Sequence, residues 1–260
     1  MNKSIQFFGL LQREIRRYFK VPLQTIGAPI MSVGLYLVIF GISLGAAISL
    51  SGGTSYLAFL IPGLVAMECI KDSFDNSVSA LLVQKYGNEL QDLRTTPLSI
   101  GQICAAKAIA SFTRGLLVST ITFVVGELFY FLTQKTLLTV AAPGVLAFFI
   151  FFGGLTFSCL GIAIGMWAKN FEDVGGFSLM IFVPLMYLGG VFFNLSMVAP
   201  FWRTLSRFNP LFYIINGIRY GFLGKADSDL IASALFTFLF FILCYILALT
   251  SLSKGRRYLR

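Results

Sequence analysis

Glu68, Lys71, Asp72 and Asp75 are the residues whose types and spacing could do chemistry in this chain. Lys71, Asp72 and Asp75 follow Glu68 by three, four and seven positions, so all four share one face of a helix. Glu68 lies about twelve residues, or roughly 18 Å, from the start of the apolar segment that carries it, close to the middle of a bilayer. A charge there costs roughly 2.5–3.5 kcal/mol on insertion scales when it faces lipid, so the ladder must face protein or water. Four readings fit. The ladder lines a substrate route, couples motion between half-spans, forms an ion-pair cluster in which Lys71 serves Glu68 and Asp75, or sits in a wet cytoplasmic vestibule. As catalytic groups, only Glu68, Asp72 and Asp75 could serve, in a membrane enzyme such as a lipid transferase.

Other chemistry is scarce. The chain has no histidine, which removes the commonest general base and metal ligand together. Cys69, Cys104, Cys159 and Cys244 are widely spaced in or beside apolar runs and read as small buried apolar residues. The sequence therefore predicts no catalytic, cofactor or metal site. No Gly-x-x-x-x-Gly-Lys-Ser/Thr phosphate loop occurs, so any ATP must be bound by another chain. The net charge of +9 does not indicate nucleic acid, because the basic residues gather at the ends of apolar runs, where they meet anionic headgroups.

The elements that must position the ladder are membrane spans. Residues 21–67 run for 47 positions without a charged side chain, 136–168 for 33 and 230–253 for 24. The composition is 57% hydrophobic and 12% charged, against roughly a quarter charged in an ordinary soluble domain. Six spans are predicted, at 23–48, 56–80, 104–132, 141–166, 175–194 and 230–252, leaving no segment long enough for a soluble domain. Six spans put both termini on one side. With the termini cytoplasmic, twelve Lys and Arg fall inside and five outside, while Lys71, Lys107 and Arg114 lie in or at the ends of spans.

Three segments outside the spans carry their own patterns. Residues 1–22 form a basic amphipathic interface helix, with Phe8, Leu11, Ile15 and Tyr18 on one face and Arg13, Arg16, Arg17 and Lys20 on the other. Residues 87–98 suit a short helix lying on the cytoplasmic surface and ended before Pro97, with Ser99 capping the next helix. Residues 195–229 mix aromatic residues, prolines and arginines. They are too apolar for a free loop and too broken for a full span, and read as re-entrant or interfacial external helices. Glu127, near the outer end of span three, reads as interfacial.

A resemblance enters at the outer segment. Pro184-Leu185, Gly190-Val191-Phe192-Phe193, Pro200-Phe201-Trp202, Asn209-Pro210-Leu211-Phe212-Tyr213 and Arg219 resemble the signature of permease subunits of ABC type-2 exporters. This chain departs from that signature at Asn194 and Asn216, and the second change leaves open whether Arg219 has an acidic partner within the chain. Glu89 to Ser99, Ala106-Lys107 and Arg114-Gly115-Leu116 are similar to the family's coupling helix and the start of its third span. The resemblance covers the whole chain as a single ABC type-2 transmembrane domain.

It implies an all-α fold of six transmembrane helices with the interface helix and re-entrant external helices. It also implies a homodimer in the bacterial cytoplasmic (inner) membrane, two copies of a separate ABC ATPase subunit, contact with membrane lipids, and ATP and Mg held only in the partner. Glu89, Leu90, Asp92, Leu93 and Arg94 would then couple to the ATPase. Glu68, Lys71, Asp72 and Asp75 would line the route or form an intramembrane network, and Asn209, Pro210, Tyr213 and Arg219 are candidates for an external gate. The expected function is export of an amphiphilic, lipid-like or drug-like substrate, a lipid-linked glycan included. The alternatives are a membrane-embedded lipid-modifying enzyme and an ATP-independent channel.

Overall fold

A computed structural model describes residues 3–44, 55–89, 97–194 and 199–258. Among these residues every regular element is helical. In chain order they are α1 (Lys3–Phe19), α2 (residues 23–44), α3 (Tyr56–Tyr86), α4 (Ile100–Gln134), α5 (Pro143–Trp167), α6 (Phe171–Leu188), α7 (Pro200–Arg207), α8 (Pro210–Leu223) and α9 (Leu230–Tyr258). In α2 an α-helical middle, Ala28–Tyr36, is flanked by π-helical turns at Leu23–Gly27 and Leu37–Leu44. A π-turn at Ser178–Phe182 similarly interrupts α6.

Local chemistry sets the ends. The Ser55 hydroxyl accepts from the Ala58 amide at 3.2 Å and starts α3. Ser99 caps the start of α4, as the sequence predicts, and Gln102 answers it to complete a reciprocal capping box. Asn170 caps α6 through the Asp173 amide, so that helix begins four residues before the expected 175, and it ends at Leu188, ahead of the left-handed Gly190 (φ +81°). Gly224 (φ +66°) closes α8 in the left-handed conformation that favours glycine.

The centre of the molecule is α3. It packs most extensively on α4 and α5; α9 lies on α5, α1 on α4, and α8 on α5, α9 and α3. Buried positions run almost the whole length of α3 and all round it, whereas α2, α4, α6 and α9 turn residues such as Met31, Val124, Met180 and Leu239 outward. This explains a departure from the expected six spans. Five helices are long and apolar enough to cross a membrane, and α3 is not among them. At 31 residues it has the length, but its ladder keeps every stretch of it too charged. Protein, not lipid, surrounds it, so its burial does not require an apolar sequence.

The expected re-entrant segment is resolved as α7 and α8, with residues 195–198 outside the described set. Leu211, Ile214, Ile215 and Ile218 of α8 are buried in the main core. Glu127, read as interfacial, accepts from the Leu138 amide at 2.8 Å through its carboxylate and holds the α4–α5 turn.

Close approach to α3 depends on small residues on both neighbours. A Cβ on Gly115 of α4 would sit 2.5 Å from the Cys69 carbonyl, and one on Gly161 of α5 would sit 2.6 Å from the Phe74 carbonyl. Both clashes are with backbone and cannot be relieved by a rotamer change. Gly161→Val should therefore lower stability by about 1–3 kcal/mol or more. Gly144→Val, in the same helix with open space around the glycine, should be close to neutral. The thermal unfolding midpoints of the two purified variants in detergent check this.

Candidate functional site

The ladder of α3 lines a cavity of about 460 Å³ between α3, α2, α4 and α6, and all four of its residues are on the wall. Arg114 of α4 joins them, with Gln24 and Ser32 contributed by the α2 segment and Phe171 by α6. The side chains differ in exposure. Glu68 is 2% exposed and Asp72 6%, Asp75 is half-buried, and Lys71 is exposed.

The ion-pair reading of the ladder is altered in its partners. Asp72 pairs with Arg114 across the helix interface at 3.2 Å. Lys71 attracts Glu68, Asp75 and Asp72 electrostatically but forms no ion pair with any of them among the described residues. Arg114 also reaches the Asn76 side-chain oxygen at 3.5 Å, and Asn76 donates to the Ser111 hydroxyl at 3.1 Å.

From Asn76 the polar seam continues to the first helix. Arg17 of α1 donates to the Asn76 side-chain oxygen at 2.7 Å and to its carbonyl at 3.0 Å. One turn earlier on α1, Glu14 is 3% exposed and accepts from Lys107 of α4 at 2.8 Å and from Gln84 of α3 at 2.7 Å. Lys107 also donates to Gln84 at 2.6 Å, closing a three-residue ring. Burial alone would raise the Glu14 pKa, but Lys107, Gln84 and Arg17 together hold it below the ordinary 4.5. Arg17 is shifted down, chiefly by burial, with Glu14 opposing.

Of the expected basic face of α1, Arg13, Arg16 and Lys20 are exposed and Arg17 turns inward. The face α1 turns to the protein carries Glu14, Arg17 and Tyr18, while Phe8 and Ile5 point outward. Sequence reasoning missed Glu14, Gln84 and Asn76, and left Lys107 and Arg114 without partners. The signals were present: Glu14 is the one acid in the first twenty residues, and Lys107 and Arg114 are seven apart on one face of span three.

Of the coupling residues, Glu89 alone is described. It meets Arg13 of α1 at 3.2 Å, with both side chains about half exposed, which makes the pair worth roughly 0.2–1 kcal/mol. Leu90, Asp92, Leu93 and Arg94 lie outside the described residues. Nearby, Lys85 donates to the Met166 and Ala168 carbonyls, both at 2.7 Å, and so caps the C-terminus of α5. Burial lowers its pKa.

The four outer residues fall into one construction but not one site. Asn209 caps α8 through the Leu211 amide and donates to the Leu185 carbonyl at 2.6 Å, with Pro210 in the first turn. Tyr213 donates to the Arg207 carbonyl at 2.8 Å and stacks on Phe236. Arg219 is buried. It pairs with Asp227 at 3.1 Å, donates to the Gly190 carbonyl at 2.8 Å, and lies 3.8 Å above the Phe59 ring of α3. Its acidic partner is thus in the chain, eight residues downstream. Asn216 accepts from the Asp227 amide at 2.7 Å and positions that acid.

Among the described residues no group of three or more His, Cys, Asp or Glu is arranged to hold a metal ion.

The family described as "ABC-2 type transporter" matches residues 5–223 of this chain. The chain is 32% identical over 244 residues to "Inner membrane transport permease YadH" of Escherichia coli (strain K12), covering 94% of this chain and 93% of that protein. It is 25% identical over 228 residues to "Nodulation protein J" of Rhizobium leguminosarum bv. trifolii, covering 87% and 84%. It is 26% identical over 221 residues to "Nodulation protein J" of Rhizobium meliloti (strain 1021), covering 84% and 82%.

The Glu14 ring yields a prediction with a definite sign. Lys107→Met leaves a buried carboxylate uncompensated and should cost about 3–5 kcal/mol, whereas the Glu14→Gln/Lys107→Met pair should cost less. A carboxylate with a depressed folded pKa contributes stability above its unfolded pKa and loses it as pH falls through the folded value. The wild-type unfolding midpoint in detergent should therefore drop on acidification below about pH 4.5, and Glu14→Gln should flatten that part of the curve. Thermal scans across the acid range on the four proteins measure both effects.

Proposed function

The chain belongs to the ABC-2 type transporter family, and on that premise we propose that it is the transmembrane permease subunit of an ATP-driven exporter. It works as a homodimer in the bacterial inner membrane. It moves an amphiphilic, lipid-like or drug-like substrate, with a lipid-linked glycan as one such class, out of the cytoplasm or inner leaflet. ATP, with Mg, is bound and hydrolysed by two copies of a separate ABC subunit. The observation that carries this reading is the charged cavity along α3, inside a shell of apolar helices. A packed structural protein has no need of such a cavity, whereas a transport path does.

In this proposal α3 is a sixth span, crossing the membrane within protein. Both termini are cytoplasmic, and α7 and α8 form the external re-entrant segment. The Arg219–Asp227 pair anchors that segment to α3 through Phe59. Asn209, Pro210, Tyr213 and Arg219 would act as an external gate by moving with it. At the other end, residues 87–98 dock on the ATPase. Arg13–Glu89 and the Glu14–Lys107–Gln84 ring join the start of that segment to α1, α3 and α4. A push on the segment is thereby transmitted to the cavity wall through Arg17, Asn76 and Arg114.

Two measurements test the arrangement. Leu93→Asp should weaken association with the co-expressed ATPase by about 2 kcal/mol, roughly thirtyfold, with the permease still inserted and dimeric. Unchanged co-purification and unchanged permease-stimulated ATP hydrolysis in both Leu93→Asp and Arg94→Glu would remove the segment from the coupling path. Membrane-impermeant labelling of single cysteines should place positions 4 and 259 inside and position 52 outside. An external label at either terminus would overturn the six-span topology.

A further inference from the structure

The cavity has a charge balance and an unpartnered acidic side chain that bear on what could enter it. Asp72 and Arg114 satisfy one another at 3.2 Å. What remains is Glu68 and Asp75, seven residues apart and so separated by roughly 10 Å along α3, with Lys71 between them in the helix and attracted to both. Three acidic side chains against two basic ones give the wall a formal excess of one acid.

Glu68 is the second observation. Its side chain is 2% exposed and lines the cavity, yet among the described residues it has neither a hydrogen-bond partner nor an ion pair. Its oxygens are not among the fully buried unpartnered atoms, so the carboxyl group opens onto the cavity, and a carboxylate so enclosed without a protein donor is costly. A ligand that brings N–H donors or positive charge relieves that cost, and an anion increases it. Pro29, Val78, Phe171 and Val174 supply an apolar part of the same wall.

We propose that this cavity binds a monovalent cationic group, the ammonium or onium head of an amphiphile, held between Glu68 and Asp75 with its apolar body against Phe171 and Val174. Lys71, attracted to both carboxylates without pairing with either, offsets part of their charge and so favours a ligand with a single positive charge. The inference rests on the transport reading above and names its substrate class.

The test uses the purified permease in neutral detergent and two ions of nearly the same size and shape, tetraphenylphosphonium and tetraphenylborate, by equilibrium dialysis. Wild-type protein should bind the cation saturably and at least tenfold more tightly than the anion. Glu68→Gln should weaken cation binding by tenfold or more with the elution profile unchanged. If Glu68→Gln does not yield folded protein, Asp75→Asn at the other end of the cavity decides in the same way. Equal binding of the two ions, or cation binding unaltered in the folded variant, overturns the proposal. Because the assay contains no ATPase, that result would leave intact the co-purification that tests the exporter reading. Loss of co-purification with cation selectivity retained would have the opposite meaning.

Discussion

A charged helix cannot face hydrocarbon, and the rest of this structure is arranged around that constraint. In the six-span proposal, Glu68, Lys71, Asp72 and Asp75 of α3 would lie at depths where contact with lipid costs several kcal/mol in sum. The helix is therefore placed at the centre, with α4 and α5 packed closely on it, α2, α6 and α8 against its other sides, and α9 outside on α5. Gly115 and Gly161 allow the two principal neighbours to approach to backbone contact. The outer helices take the lipid-facing role and display the apolar residues that α3 does not need. Packing alone would have sealed the charges into a dry core. Instead the wall between α3, α2 and α6 remains open as a cavity with the ladder along it.

A second consequence is that three buried charges are answered from another part of the fold, and Glu68 is not. Arg114 answers Asp72, Lys107 answers Glu14, and Asp227 answers Arg219. Such pairs contribute little net stability against an apolar replacement, but removing one partner is expensive. Their effect here is to fix register. Glu14 can meet Lys107 and Gln84 together only with α1 at one rotation and one height on α3 and α4. The Arg17–Asn76–Arg114 relay then connects that position to the cavity. On the opposite side, Arg219 binds the Gly190 carbonyl, Asp227 and the Phe59 ring at once, and so joins three parts of the chain that are distant in sequence.

The two ends of the molecule are thus built on one principle with different materials. Near the first helix a chain of side-chain hydrogen bonds crosses from α1 to the cavity. At the α7–α8 end, helix caps and turns do most of the work: Asn209 starts α8, Gly224 ends it, and Glu127 and Asn216 hold the adjoining loops. Between them lies the cavity, with Glu68 as its least satisfied member.

The sequence by itself determined that the chain is helical and membrane-embedded, that its family signature lies in residues 184–221, and that the four charges of α3 share a face. These are properties of one-dimensional pattern: uncharged runs longer than a bilayer is thick, and spacing at the helical period. The Ser99 cap was equally legible, because a cap is a local contact. Only the tertiary structure decided which charge meets which. Glu14 and Lys107 are separated by 93 residues and Arg17 and Asn76 by 59, and nothing in a single chain's pattern links them. The contacts of Glu14 and Arg17 were hidden for the same reason. Arg13 and Arg16 of α1, and Lys20 just beyond it, are exposed, as amphipathicity expects, but Glu14 and Arg17 are satisfied by polar groups of α3 and α4. The partner of Arg219 was likewise hidden, since Asp227 reaches it only after the left-handed turn at Gly224 brings the chain back. Pairing of buried charges is set by where helices come together, and that is settled by the packing of the whole chain.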